Sequence, residues 1–337
     1  MSLHADFSQH PHFGGGGERA ERYFASMYAS IEVIARRTTN PQKTRKRLLT
    51  KLNTVESIPS DFRQYLQHAC ETSVVAYFAR IFDCEFFYEP RIQGQGAKNV
   101  DARLTCREFT FNVEVKCPDP KPRSVGNELA RALSIRTHGR VDFLDDFMQD
   151  MDKLALGLGR VSATAISNSD HKIKDCLLDS AKKFGSASGP QQLNCVVISC
   201  ASPDDVQHYY HCLFGAKGLF TTESFHPPHE YDSVESVVLT NVLNRHELYY
   251  IAKSVDDPWE FEHAFNIVLG NPRCRNKKEV ELSRFASLIP NFNHQITEYV
   301  VPGGNPLSVN DPIKLLFFIR DELPKFGPSL FYSASAV

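Results

Sequence analysis

Two consecutive runs of alternating apolar and polar residues constrain the fold of this chain more than any other feature. In residues 99–106 (NVDARLTC) and 109–116 (FTFNVEVK), apolar side chains occupy every second position, which is typical of half-buried β-strands. An antiparallel hairpin around Arg107 and Glu108 collects the apolar residues on one face. The apolar pairs are Cys106 with Phe109, Leu104 with Phe111, Ala102 with Val113 and Val100 with Val115. A slip of one residue would mix the two faces, so the pattern predicts this register for a two-residue turn or a four-residue loop.

The polar face of the same hairpin brings two carboxylates together. The register pairs Asp101 with Glu114, and directly opposed residues have Cβ atoms about 4.5–5.5 Å apart. Two carboxylates at this distance repel each other unless a cation lies between them. Two carboxylates, with several waters and a main-chain carbonyl, suit Mg²⁺. Lys116 lies beside Glu114 on this face, where it could act on a metal-bound water or on a phosphate. The pattern therefore predicts a metal-dependent site that hydrolyses phosphodiesters.

The spacing of these residues resembles a known signature. Asp101, a gap of twelve residues, and then Glu114, Val115 and Lys116 resemble the D…(D/E)xK motif of the PD-(D/E)xK nuclease superfamily, which includes restriction-type endonucleases. The predicted order of a helix, a strand, the hairpin, a helix and a buried strand over about residues 61–201 is similar to the αβββαβ core of that superfamily. The resemblance thus implies a restriction-endonuclease-like core.

The resemblance also implies an activity and a set of site residues. It implies a Mg²⁺-dependent endonuclease, with Mn²⁺ as a substitute metal, in which Asp101, Glu114 and the carbonyl of Val115 hold the ion. Lys116 would be catalytic, and Glu71, on the helix before the hairpin, matches an acidic residue that the family often adds. DNA is the expected substrate, with RNA left open, in a setting such as restriction or phage defence. A homodimer would supply the two active sites that cutting both strands usually takes.

Two alternatives to an active nuclease stay open. Val100 stands where the family usually has Pro, and members of the superfamily can lose their active site. The chain could therefore be a catalytically inactive module that keeps the fold and binds nucleic acid or assembles with partners. The hairpin could also be purely structural, in an unrelated α/β enzyme.

Two clusters of basic residues are candidates for nucleic-acid contacts on either side of the site. One lies on a predicted helix over 41–53, and the other lies in a turn-like segment over 271–278. Their members are Lys43, Arg45, Lys46, Arg47 and Lys51 in the first cluster, and Arg273, Arg275, Lys277 and Lys278 in the second. Such cations neutralise phosphates without reading a sequence. Solvated charged surface is the alternative interpretation.

The remaining patterns predict an α/β fold, with a mixed central sheet flanked by helices. Helices are expected over about 18–37, 41–53, 61–82, 126–136, 142–156, 170–184, 279–288 and 311–325. Strands are expected within 84–90, 193–200, 233–243, 247–255 and 265–270. This order predicts a flexible leader over 1–17, an N-terminal helical region over 18–60 and a nuclease-like core over 61–204. The strands and helices of 205–337 are expected to pack on the same core.

Composition narrows the class of protein only in part. The 337 residues are 42% hydrophobic with a formal net charge of −2, which suits a globular protein and leaves nucleic-acid binding open, because a local basic patch suffices for it. The nine cysteines include no CxxC pair, so we expect buried free thiols. No apolar run reaches membrane-spanning length, and the start lacks the apolar core of a signal peptide. A cytoplasmic protein without a membrane partner is expected.

Two histidine pairs offer a different metal site. They lie in HYYHC (208–212) and HPPHE (226–230), and paired histidines can bind zinc. Their spacing matches no standard zinc finger, and the two prolines inside the second pair predict a loop. Ordinary surface or core histidines are the favoured interpretation.

Overall fold

The computed structural model describes residues 17–52, 59–92, 99–118, 169–185, 188–215, 217–249, 255–290 and 331–332. These residues form helices, one mixed sheet and the connections between them. The α-helices in these ranges are α1 (Glu18–Arg36), α2 (Pro41–Leu52), α3 (Pro59–Arg80), α4 (Ser169–Phe184), α5 (Pro203–Phe214), α6 (Val242–Leu248) and α7 (Glu279–Ala286). The strands are β1 (Glu85–Tyr88), β2 (Ala102–Cys106), β3 (Phe109–Lys116), β4 (Gln192–Ser199), β5 (Ser236–Thr240), β6 (Asn266–Gly270) and β7 (Phe331–Tyr332). Predicted leader residues 1–16 and the helices predicted over 126–136, 142–156 and 311–325 lie outside the described residues.

The strands are hydrogen-bonded in sequence order, from β1 to β7. The strands β1, β2 and β3 form an antiparallel meander, β3, β4 and β5 run parallel, and β6 and β7 are again antiparallel to their neighbours. Parallel neighbours need a crossover connection, and α4 and α5 lie in the two connections concerned. The predicted α/β fold with a mixed sheet is confirmed.

The hairpin has the predicted register. Ala102 pairs with Val113, and Leu104 pairs with Phe111. Only Arg107 and Glu108 separate the two strands, so the shorter of the two possible turns is present. Arg107 has a φ of 56°, in the left-handed region that tight hairpin turns require.

The sheet separates two buried apolar clusters, and the alternation along each strand assigns side chains to one or the other. In β4, Cys195 and Val197 belong to the cluster beneath α1, α2 and α3, whereas Val196 and Ile198 belong to the cluster beneath α4 and α5. A strand with both faces buried reads as a continuous apolar run, as predicted for 193–200. The first cluster also contains side chains from α6 and α7, so these two helices pack on the same core as the N-terminal helices.

The strand predicted over 247–255 is wrong for the part that is described. Glu247 and Leu248 end helix α6, which begins at Val242, directly after β5. The backbone N–H of Phe265 donates to Asn241 Oδ1 at 2.8 Å, which fixes the junction between strand and helix. A short apolar run does not distinguish a buried helix from a buried strand, and here tertiary packing selects the helix.

The expectation that all cysteines are free thiols is also corrected. Cys84 and Cys106 form a disulfide. The antiparallel register of β1 and β2, which pairs Glu85 with Thr105, places these two cysteines opposite each other at the ends of the strands. Their juxtaposition follows from strand pairing, which spacing in the sequence did not reveal.

Candidate active site at the end of strand β3

Asp101 and Glu114 are neighbours across the hairpin. The N–H of Asp101 donates to Val113 O at 3.1 Å, and the N–H of Val115 donates to Asp101 Oδ2 at 2.7 Å. Asp101 is thus tied to the backbone on both sides of Glu114. Since Asp101 precedes β2 and Glu114 is near the end of β3, the carboxylates meet at the edge of the sheet where β3 ends.

Glu114 is buried, and its two oxygens are in different environments. The side chain is almost inaccessible, with 1% of the residue surface exposed. Its Oε1 accepts from Lys183 Nζ at 2.5 Å and lies 3.3 Å from Lys116 Nζ. Its Oε2 has no hydrogen-bond partner among the described residues. A buried carboxylate oxygen without a protein partner is uncommon, because desolvation of the charge is costly.

Glu71 extends the acidic cluster from helix α3. Lys51 Nζ, on α2, lies 2.7 Å from Glu71 Oε1 and 3.0 Å from Glu89 Oε1. His68 Nδ1 lies 3.6 Å from Glu71 Oε2, and Arg47 pairs with Glu89. Burial alone would raise the pKa of Glu71, but the contact with His68 and the charge of Lys51 outweigh it and lower that pKa. Two acidic side chains beside Asp101 are therefore held by cations of the chain itself.

The surroundings of Asp101 oppose the ionisation of its carboxyl group. Burial raises the pKa of its carboxyl well above the ordinary value, and the charges of Glu71 and Glu114 raise that pKa further. The charge of Lys183 and the N–H of Val115 offset this only in part. A carboxyl whose ionisation is opposed by burial and by like charges gains free energy when a cation arrives.

Sequence reasoning missed several residues near the site, among them Lys183, Glu89 and Tyr88. The hydroxyl of Tyr88 is buried without a hydrogen-bond partner among the described residues, and burial, followed by the charges of Glu71 and Asp101, raises its pKa. Glu89 directly follows β1, as Asp101 directly precedes β2, which is the only signal in the sequence that could have identified it. Lys183 gave no signal, because the adjacent Lys182 is equally charged.

Helix α2 contributes to the cluster in a way that differs from the prediction. Lys43 and Lys46 are exposed, as contacts with a nucleic acid require. Arg45 instead forms a two-pronged ion pair with Glu32, while Arg47 and Lys51 bind the acidic cluster. Three of the predicted phosphate contacts are therefore engaged with carboxylates of the chain.

The second basic cluster does not lie beside the site. Because β6 is antiparallel to β5 and β5 is parallel to β3 through β4, residues 271–278 follow β6 at the edge where β3 begins. Arg273 and Lys277 are exposed there, and Arg275 pairs with Asp232 at 2.5 Å. Lys278 is buried and donates to Gly189 O at 2.7 Å, so its assignment to a nucleic-acid surface is corrected.

The predicted zinc and magnesium ligands can be compared with the arrangement of side chains in the described residues. Those residues contain no cluster of three or more His, Cys, Asp or Glu side chains that could hold a metal ion. His208 contacts Cys212 and His226 contacts Glu230, both within their own segments. Mg²⁺ retains several waters and needs only one or two carboxylates, which Asp101 and Glu114 could supply, with the unpartnered Oε2 as one donor.

Comparisons with known proteins do not add to this picture. No protein-family model matches the chain, and neither the curated proteins nor the solved structures provide a match. Among the described helices, none combines the length and the apolar character needed to cross a membrane.

Proposed function

We propose that this chain is a Mg²⁺-dependent phosphodiesterase that cleaves nucleic acid, with DNA as the first substrate to test. The observation that carries the proposal is the buried Glu114, whose Oε2 lacks a partner among the described residues, beside Asp101 and 3.3 Å from Lys116 through its other oxygen. A carboxylate with a purely structural role has no need of an unpaired oxygen next to a second carboxylate. A carboxylate that binds a divalent cation needs such an oxygen as a ligand.

The residues of the site divide the work. Asp101 and Glu114 would hold the cation, with the backbone of Val115 keeping Asp101 in place through its N–H. When bound, Mg²⁺ would act as a Lewis acid on a phosphate oxygen and make a bound water more acidic. Lys116 would orient the attacking water or stabilise the charge on the phosphate. Glu71 borders the pair and is held in place by Lys51.

The charge balance of the cluster supports a phosphodiester substrate. Its carboxylates are those of Glu71, Glu89, Asp101 and Glu114, and its cations are those of Arg47, Lys51, Lys116 and Lys183. When all of these groups are ionised, the four negative charges balance the four positive charges; His68 is not included in this count. A divalent cation would leave the cluster positive, which favours the negative charge that develops on a phosphoryl group in the transition state.

A second candidate function has one observation in its favour. Lys183 and Lys51 already neutralise the buried carboxylates without any metal. A module that keeps the fold, binds nucleic acid or partners and does not cleave could use the same ion pairs only for stability. Divalent-cation binding separates the two candidates, because such a module has no use for the cation.

The test is titration of the purified chain with Mn²⁺ by calorimetry, followed by incubation of duplex DNA and of RNA with Mg²⁺ or Mn²⁺. We expect binding of the ion and metal-dependent cleavage, both lost in Asp101→Ala. Glu108→Ala is the matched control, because Glu108 is an exposed carboxylate in the turn of the same hairpin. Heat of binding that is unchanged in Asp101→Ala would remove the proposed site.

A further inference from the structure

Two ammonium groups converge on one oxygen of the buried Glu114. Lys183 Nζ lies 2.5 Å from Oε1, and Lys116 Nζ lies 3.3 Å from the same atom. Oε2 is buried and has no hydrogen-bond partner among the described residues. We propose that Lys183 is a positioning residue that acts through Glu114 and makes the site select a small divalent cation over a large one.

Lys183 is held firmly in this position. It lies near the end of α4, and only 18% of its side chain is exposed. The adjacent Lys182, with 74% of its side chain exposed, pairs only weakly with Asp179 on the surface.

Occupation of Oε1 restricts how Glu114 can bind a metal ion. With Lys183 on that atom, the carboxylate offers a single oxygen, Oε2. Ca²⁺ takes six to eight oxygen ligands and often binds a carboxylate through both oxygens, whereas Mg²⁺ takes six at shorter distance and keeps several waters. Restricting Glu114 to one oxygen therefore reduces the affinity for Ca²⁺ more than the affinity for Mg²⁺. This inference rests on the proposed function only in requiring that the site bind a divalent cation.

The experiment measures the affinities of the full chain for MgCl₂, MnCl₂ and CaCl₂ separately by calorimetry. Lys183→Met and Lys183→Gln remove the charge, Lys183→Arg keeps it, and Lys182→Met is the control. Changes to groups that support metal ligands commonly alter affinity by about 10–100-fold, so we expect the ratio of Ca²⁺ to Mg²⁺ affinity to rise by about tenfold in both neutral variants. Lys183→Arg should stay near the parent ratio, and Lys182→Met should match the parent.

The outcomes distinguish this inference from the proposed function. Two neutral variants are included so that one folded variant, verified by circular dichroism, suffices. If the parent binds Mg²⁺ and cleaves, but the neutral variants show the same ratio as Lys182→Met, the role of Lys183 is wrong and the proposed function stands. If the affinities for all three ions fall together, Lys183 has only a structural role. If the parent binds none of the ions, both proposals fail.

Discussion

Two buried glutamates of the same sheet show how differently a carboxylate can be accommodated. Glu235, directly before β5, is fully buried, as Glu114 is. The hydroxyl of Ser188 lies within hydrogen-bond distance of both oxygens of Glu235, at 2.7 and 2.6 Å, and Oε2 also accepts from the N–H of Asn194. Lys278 Nζ, itself buried, lies 3.7 Å from Oε1. Glu114 has cations on one oxygen and no partner among the described residues on the other.

Under the proposed function, this difference separates a carboxylate that stabilises the fold from one that binds a cation. Every oxygen of Glu235 is satisfied within the chain, which is how a buried charge usually persists. Glu114 keeps an unsatisfied oxygen and lies beside Asp101, at a cost to stability that binding of a cation would recover. We therefore expect substitutions at Glu114 to affect activity and substitutions at Glu235 to affect stability.

The largest expected effect is the loss of cleavage in Asp101→Ala or Glu114→Ala. Removal of a metal ligand should reduce the rate by about 10⁴-fold or more, as for residues that act as a unit. Asp101→Ala should melt at the temperature of the parent or above it, because one of two repelling carboxylates is gone. Cleavage assays at equal Mn²⁺ concentration and thermal melts check both expectations. An Asp101→Ala protein that cuts as fast as the parent would show that the proposed site does not carry out cleavage.

Lys116→Ala should slow cleavage without abolishing the binding of Mn²⁺. The loss of one general base or charge-stabilising group costs about 10²–10⁴-fold in rate. Because the amine of Lys116 contacts Glu114 Oε1 and is not a metal ligand in our assignment, calorimetry should still detect the ion. A variant that no longer binds Mn²⁺ would contradict the role given to this lysine.

Glu235→Ala tests the structural side of the comparison. It would leave Lys278 buried without its nearest carboxylate, and breaking a buried ion pair by removing one partner costs about 3–5 kcal/mol. Denaturant unfolding should therefore show a much larger loss of stability for Glu235→Ala than for Glu114→Ala. Equal stability of the two variants would show that Glu235 and Glu114 contribute equally to the stability of the fold.

The pH dependence of stability offers a smaller effect at Glu235. Burial raises its pKa in the folded protein, despite the contacts with Ser188, Asn194 and Lys278. The folded state therefore binds a proton more tightly than the unfolded chain, and stability falls as pH rises from the ordinary glutamate pKa of about 4.3 through the raised pKa. Glu235→Gln should lack this loss, so the stability of the parent minus that of the variant should decline over this range and then level off. A difference that rises with pH would reverse the assignment.

The smallest expected effect concerns the basic residues of α2. Some of them are exposed, whereas others are paired with carboxylates. Lys43 and Lys46 are exposed, so the double change to alanine should flatten the log–log salt dependence of duplex DNA affinity by up to about 0.9 for each lysine. Arg45→Ala is the control, because its guanidinium is engaged by Glu32. Fluorescence titrations of a cleavage-deficient Asp101→Ala background, at several salt concentrations, provide the measurement. An unchanged slope in the double variant would remove α2 from the DNA-binding surface.

The sequence by itself determined the local features of this protein. Alternation along 99–106 and 109–116 predicted the register of the hairpin, because a slip of one residue would expose the apolar face. The continuous apolar run over 193–200 predicted a strand with both faces buried, and helical periodicity predicted α1, α2 and α3. The neighbourhood of Asp101 and Glu114 follows from the hairpin register alone, since strand pairing over a tight turn is a short-range property of the chain.

Tertiary structure alone decided which distant groups meet at those carboxylates. Lys183 is 69 residues from Glu114, and helical periodicity could not show that the packing of α4 on the sheet would direct its ammonium to Oε1. The same holds for Lys51 beside Glu71 and for Lys278, a basic residue in a polar segment that packing buries against Glu235. A charged side chain looks the same in the sequence whether it is solvated or paired. Only the arrangement of the helices on the sheet determines which carboxylate it reaches, and which oxygen it leaves open.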